Sequence, residues 1–177
     1  MTSFFTGVQL SGTAGESGGT SNIATQPPAL IANLGTSLAI PANGFVLVPF
    51  DDIVWDHIVG LQGITTPFPG QVVNIPTGAH GIYLFRCTVT FGAVASTGYA
   101  SVQILHFDGG VASGNPPTNY RRFVDLSPSG NTVVDFSKII ELDNNDQIAV
   151  AVTSSDAVNL DLSMYGNNCV ELVKVAF

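Results

Sequence analysis

The chain predicts an all-β fold, a sandwich or barrel of about ten short strands. Three observations carry that prediction. Gly81–Phe91 (GIYLFRCTVTF) alternates with a period of two, so that Tyr83, Phe85, Cys87, Val89 and Phe91 share one face of an extended strand. Turn-forming residues punctuate the sequence at short intervals from Gly44 onward. No amphipathic run of helical spacing is long enough to compete. In Gly81–Phe91 the first third is apolar on both faces, because Ile82 and Leu84 stand opposite Tyr83 and Phe85. Such a strand needs cover twice, once from its own core and once from a second surface. That second surface is predicted to belong to another subunit.

Taken in order, Met1–Pro28 is rich in Ser, Thr, Gly and Ala, and Ser11–Ser21 (SGTAGESGGTS) has the composition of a flexible linker. Alone it buries too little to offset its ordering entropy. It is predicted to be an attachment arm, with Phe4, Phe5, Val8 and Leu10 as its anchors on a neighbouring subunit or a larger particle. The alternative is a tail folded back on its own domain. Pro27-Pro28 ends the linker, and residues 1–43 are assigned to the arm. Leu30–Ile40 fits a short strand or a helical turn equally well. Pro41-Ala42-Asn43-Gly44 is a turn, with Gly44 expected to supply the positive φ.

The domain proper is assigned to residues 44–177. Phe45–Phe50 and Ile53–Ile58 are candidate strands flanking Asp51-Asp52. Gly60–Gly70 reads as a loop and Gln71–Ile75 as a short strand. After Gly81–Phe91 come Tyr99–Phe107, a Gly- and Pro-rich loop at Asp108–Asn119, and strands at Arg121–Leu126 and Thr132–Leu142. Asp143-Asn144-Asn145-Asp146 is a tight turn. Gln147–Thr153, a run through Leu160, Leu162 and Met164, and Cys169–Phe177 complete the set.

Composition bounds the function. Hydrophobic residues make up 45% of the 177 and charged ones only 10%, against a usual charged share of about 25%. A surface so poor in charge is predicted to be partly buried in an assembly. The net charge is −8, with Arg86, Arg121, Arg122, Lys138 and Lys174 as the five cations. That balance argues against nucleic acid, whose binding rests on neutralising phosphates, and against docking on an anionic membrane. No stretch approaches the roughly 20 apolar residues of a membrane span. Residues 1–20 lack a basic start followed by an apolar run, so synthesis in a cytoplasm without standard export is expected. Cys87 and Cys169 are too few for a disulfide scaffold. Two reduced, buried thiols and a single bridge both remain open.

At Gly81-Ile82-Tyr83-Leu84-Phe85 the sequence resembles the G-x-Y-x-F signature of C1q-like domains, which share the tumour-necrosis-factor jelly roll. The likeness continues through Ile140–Val150, where Asn145-Asp146 takes the place of the family's Gly-Asp. It ends with Leu160–Tyr165 and Cys169–Ala176, joined at Gly166-Asn167. It spans about residues 44–177; Val48-Pro49-Phe50-Asp51 and Trp55 match only loosely. The resemblance implies a jelly-roll β-sandwich of about ten strands packed as a compact homotrimer. Ile82 and Leu84 would then face the three-fold axis. The chain has no Gly-x-y repeat of the collagen-stalked members, and a charge-poor, lysine-poor head behind an arm fits the phage and viral group better.

Candidate chemistry is sparse. His57, His80 and His106 lack metal-ligand spacing. No G-x-S-x-G elbow and no phosphate-binding glycine motif occurs. Asp51-Asp52 and the Asp143–Asp146 turn are weak calcium candidates, because Asx-rich turns form for backbone reasons. Tyr120-Arg121-Arg122 is the basic cluster that fits a ligand, with Trp55 as a second candidate contact; pairing of the arginines with Asp108 or Asp125 is the bland alternative. The sequence therefore predicts a non-enzymatic virion component without a cofactor. Its expected role is a head fibre, capsid decoration or tail-fibre subunit. The arm would dock on capsid or tail proteins, and the loops would meet a host-surface receptor or glycan. A cellular C1q-like recognition module is the alternative, and a small jelly-roll enzyme the third reading.

Overall fold

A computed structural model describes residues 29–56, 65–68, 70–114, 117–160 and 168–176. The described strands are, in chain order, β1 (Ala29–Asn33), β2 (Leu38–Ile40), β3 (Gly44–Leu47), β4 (Asp52–Asp56), β5 (Thr65–Phe68), β6 (Gly70–Asn74) and β7 (Gly81–Phe91). They continue as β8 (Gly98–Phe107), β9 (Thr118–Leu126), β10 (Thr132–Leu142), β11 (Gln147–Ser154), β12 (Val158–Leu160) and β13 (Cys169–Ala176). A single 3-10 turn at Val111–Ser113 is the one helical element among the described residues.

Two antiparallel sheets stack face to face. In the front sheet β7 lies between β10 on one side and β13 on the other, and β1 and then β4 follow β13. The short β12 and β2 extend this sheet beyond the Phe91 end of β7. The back sheet runs β5-β6-β11-β8-β9, with β3 beside β11. The hairpin of β9 and β10 crosses from the back sheet to the front sheet, so these two strands form one edge of the sandwich. At the far edge of the front sheet is β4.

Alternation places the core. Tyr83, Phe85, Cys87, Val89 and Phe91 of β7 are all buried. They pack in one cluster with Val102 and Ile104 of β8, Ile148, Val150 and Val152 of β11, and Leu172 of β13. Burying each such side chain contributes roughly 1.5–3 kcal/mol. Tyr83 keeps its hydroxyl satisfied by donating to the Ala79 carbonyl, and burial pushes its pKa up to about 12.

The structure departs from the sequence reading at several points. The segments Ala29–Asn33 and Leu38–Ile40, assigned above to the arm, are strands of the front sheet. Leu30, Ala32, Leu34 and Ile40 are core residues, so the boundary at residue 43 falls too late. Strand β5 occupies part of the segment read as the Gly60–Gly70 loop. Its Pro67 is tolerated because β5 is an edge strand, where a missing N–H costs no ladder bond. Strand β9 begins at Thr118, inside the segment read as the Asp108–Asn119 loop. In the turn before β3, Asn43 takes the left-handed conformation (φ 57°). Gly44 is needed for space instead, since a Cβ there would collide with the Pro41 ring. Residues 161–167, which include Leu162 and Met164, lie outside the described residues.

Candidate functional site

The outer face of the front sheet is built in cross-strand rows. Ala29, Val173, Leu84 and Ile139 are mutual register partners across β1, β13, β7 and β10. Partners on one face bring their Cβ atoms to about 4.5–5.5 Å, so this row is a continuous apolar stripe. Ile139 is 64% exposed and Leu84 39%, and Ile82 (36%) and Val175 (54%) widen the stripe. Ile82 and Leu84 are thus covered neither by the back sheet nor by any other described segment. The next row reads Ile31, Glu171, Arg86 and Ser137, and the one after it Asn33, Cys169, Thr88 and Asp135. The face is therefore apolar toward one end and charged beside it.

Sequence reasoning found Ile82 and Leu84 but missed Ile139 and Val175. For Ile139 the signal was there, since Ile139-Ile140 breaks the alternation of β10 just as Ile82 and Leu84 do in β7; Val175 stands out only through the register shift of β13 beside the buried Lys174.

Beside this face the β9–β10 edge encloses an open groove of about 870 Å³ lined by Arg86, Arg121, Arg122, Val133, Asp135 and Ser137, among others. Arg86 grips Asp135 with two bonds, Nε to Oδ1 at 3.1 Å and Nη2 to Oδ2 at 2.8 Å. The hydrogen bond and charge of Arg86 hold the Asp135 carboxyl below its usual range, and the same bond raises the guanidinium. Both partners are about half exposed, so the pair itself stabilises by no more than about 1 kcal/mol. Arg122 donates from Nη1 to the Asp135 carbonyl at 2.8 Å. Arg121 donates from Nη2 to Gln103 Oε1 at 2.8 Å and lies over the Phe123 ring, 5.5 Å from its centroid. Gln103 is fully buried and also accepts from Asn119 Nδ2 at 2.8 Å. The Arg86 and Arg122 guanidinium groups are thus held at Asp135, while that of Arg121 is held at Gln103 and Phe123 on the outer face of the back sheet. Tyr120 has no part in the groove lining. It is partly buried against the core with the Lys138 ammonium 4.9 Å from its ring centroid.

The remaining candidates are dispersed. Phe4, Phe5, Val8, Leu10 and His57 lie outside the described residues. Trp55 is the register partner of Ile31 in β4; its side chain is outside the described set. Asp51 and Asp52 are exposed, and Asp51 Oδ1 accepts the Gly35 N–H at 2.7 Å. His80 is exposed.

The acidic turn has a different occupation. Asn145 takes φ 70°, its N–H donates to the Ile75 carbonyl at 2.8 Å, and Asn144 Oδ1 accepts the Gly78 N–H at 2.9 Å. Asp146 is buried, with Oδ1 accepting the Gly109 N–H at 2.8 Å. Its Oδ2 accepts the Asp143 N–H at 2.9 Å and sits 2.7 Å from His106 Nε2. Its lone pairs are spent on protein donors that tie the β10–β11 turn to its neighbours. No group of three or more His, Cys, Asp or Glu side chains with metal-holding geometry occurs among the described residues.

Cys87 pairs in register with Val170, and Cys169 with Thr88. The two thiols therefore sit on opposite faces of adjacent strands and cannot bridge. Both are free, and burial pushes Cys87 up to about 12 and also raises Cys169.

This architecture is a C1q/TNF-like jelly roll. The chain is similar in fold to murine APRIL, with a TM-score of 0.59 and 16% identity over 85% of this chain and all of that one. It is also similar to the globular domain of the zebrafish complement 1qA protein, with a TM-score of 0.56 and 12% identity over 84% of this chain and 97% of that one. No protein-family model matches the sequence, and no curated protein matches it.

Proposed function

We propose that the protein is a structural subunit of a virion, a head fibre, capsid decoration or tail-fibre component. Its jelly roll forms a homotrimeric head that presents loops to a host-surface receptor or glycan. The observation that carries this reading is the apolar stripe of Ala29, Val173, Leu84 and Ile139, which lies open on the single chain. A self-associating surface of this kind also accounts for a charged content of only 10%. The N-terminal segment, with Phe4, Phe5, Val8 and Leu10 set in small residues, is the attachment arm to capsid or tail proteins. Three copies give avidity to individually weak loop contacts.

Sedimentation velocity of the full chain tests the assembly. A species of three times the 18.4 kDa chain mass is expected, and a stable monomer at micromolar concentration overturns the reading. Removal of residues 1–28 tests the arm. The truncated protein is expected to remain trimeric and to be lost from purified particles, and its retention there refutes the attachment role. A second reading, a cellular C1q-like recognition module for carbohydrate or protein ligands, is supported by the open arginine groove. It is favoured if the full chain copurifies with no particle.

A further inference from the structure

We propose that the outer face of the back sheet binds an uncharged saccharide, held between Tyr99 of β8 and Phe123 of β9. This rests on the receptor-binding reading above and assigns that contact to a sheet face and to a class of ligand. Among the described residues, every large hydrophobic side chain exposed by the front sheet is aliphatic, whereas those exposed by the back sheet are Phe45, Tyr99 and Phe123. Each of the three is more than half exposed. Phe45, Thr153, Ser101 and Phe123 are register partners in one row across β3, β11, β8 and β9. At about 4.8 Å per strand, the two phenylalanines stand about 14 Å apart on one face. Tyr99 is the partner of Asp125, two residues beyond Phe123. Tyr99 and Phe123 are therefore diagonal neighbours, with Cα atoms about 7–8 Å apart. The aliphatic face suits burial against another protein surface, and the aromatic face suits stacking.

Between the aromatic side chains the floor is polar and bonded. Ser101 and Gln103 are completely buried. Ser101 Oγ lies 2.8 Å from Thr153 Oγ1 and accepts from Gln103 Nε2 at 3.2 Å. Gln103 Oε1 in turn accepts from Asn119 Nδ2 and Arg121 Nη2, each at 2.8 Å. Burying an amide costs free energy unless its groups are bonded. Leu105, two residues on along the same face, is buried and aliphatic, so stability alone does not call for Gln103. What the amide adds is orientation: it fixes the exposed Asn119 and Arg121 side chains beside Phe123, so little side-chain entropy is lost when a ligand docks. The Arg121 guanidinium lies over the Phe123 ring, 5.5 Å from its centroid, and the residue is still 62% exposed. Arg121 and Asp125 flank Phe123 on this face, about 7 Å to either side. They are the charged side chains that β8 and β9 place there, and they cancel. Single-stranded nucleic acid also stacks on aromatic rings, but it needs a positive groove, and this chain carries a net charge of −8. A saccharide has the matching chemistry. Its apolar C–H faces stack on the rings, and its hydroxyls donate to Asp125 and accept from Arg121.

An array of neutral and acidic oligosaccharides probed with the full chain tests this, followed by calorimetric titration of the tightest-binding oligosaccharide in free form. Binding to uncharged oligosaccharides is expected. Phe123→Ala and Tyr99→Ala are each expected to weaken the free-sugar affinity at least about tenfold. Both side chains are more than half exposed, so circular dichroism and sedimentation are expected to stay unchanged. Arg86→Ala, in the groove beside the front sheet, is expected to leave the affinity as it was. If the affinity survives both aromatic substitutions, the proposal is overturned; a loss with Arg86→Ala in that case places the saccharide in the arginine groove and keeps the receptor-binding reading. Binding confined to acidic oligosaccharides, or to a single-stranded oligothymidine printed beside them, overturns the assignment of an uncharged saccharide. An array on which the full chain binds nothing overturns the proposal, while the trimeric assembly is judged separately by sedimentation.

Discussion

Leu84→Asp is expected to give a folded protein that sediments as a single chain. Leu84 lies in the middle of the apolar row, with Val173 on one side and Ile139 on the other. In the single chain it is already 39% exposed, so a carboxylate there reaches water and alters folding stability by little, about 0.5 kcal/mol. In the assembly the same carboxylate would be sealed among apolar side chains, where an unpaired charge costs several kcal/mol. Central, well-packed interface positions typically lose about 2 kcal/mol or more on truncation alone, and each 1.4 kcal/mol is about tenfold in affinity. A dissociation constant at least about a hundredfold higher is therefore expected, measured by sedimentation velocity across a concentration series. Ile139→Asp is expected to act in the same way. A trimer that survives Leu84→Asp unchanged would place the subunit contact elsewhere.

The residues that argue for this surface were half legible in the sequence. Within β7 the period of two separates Tyr83 and Phe85 from Ile82 and Leu84 without knowledge of any partner strand, because strand periodicity is local. The row that makes Leu84 part of a stripe is not local. It needs the registers Leu84 with Ile139 and Val173 with Leu84, which pair segments far apart in the chain. The groove is still less legible. Arg121 and Arg122 are adjacent in sequence, but adjacent strand residues point to opposite faces. The corner made by β9 and β10 brings Arg122 to the Asp135 carbonyl beside Arg86, while Arg121 turns to Gln103 and Phe123 on the outer face of the back sheet. At the other end of the domain, Leu30 and Ala32 alternate with partly exposed residues in β1, too short a run to be told from a helical turn. Its placement between β13 and β4 decides the matter. Asn43 shows the limit of turn chemistry: the Asn-Gly pair marks the turn, but the positive φ falls on Asn43, and Gly44 is there because a Cβ would meet the Pro41 ring.

Asp146 is the side chain whose loss should cost the fold most among the polar groups. It accepts two backbone N–H bonds, from Gly109 and Asp143, and contacts His106, all at a position that is 2% exposed. Asp146→Ala removes these acceptors at once and leaves two backbone donors behind. Both bonds are part-buried, so each donor left unpaired costs about 1–2 kcal/mol, the lower part of the range for buried groups, and a loss of about 2–4 kcal/mol is expected. For a chain of this length that corresponds to a midpoint lower by roughly 4–16 °C in a thermal melt.

The same bonds set a pH dependence. Burial pushes the Asp146 carboxyl up, but the backbone donors of Asp143 and Gly109, together with His106, outweigh it and leave the group below its ordinary value. A carboxyl depressed in the folded state stabilises the protein fully above its unfolded pKa of about 3.9. That contribution is lost as pH falls through the folded value. The unaltered protein is therefore expected to lose stability progressively below about pH 4, in urea titrations at fixed temperature. Asp146→Ala should flatten that acid limb, because the group that takes up the proton is gone. An acid limb of equal slope in the variant would assign the titration to other carboxylates, with Asp135 the first to examine, since Arg86 depresses it as well.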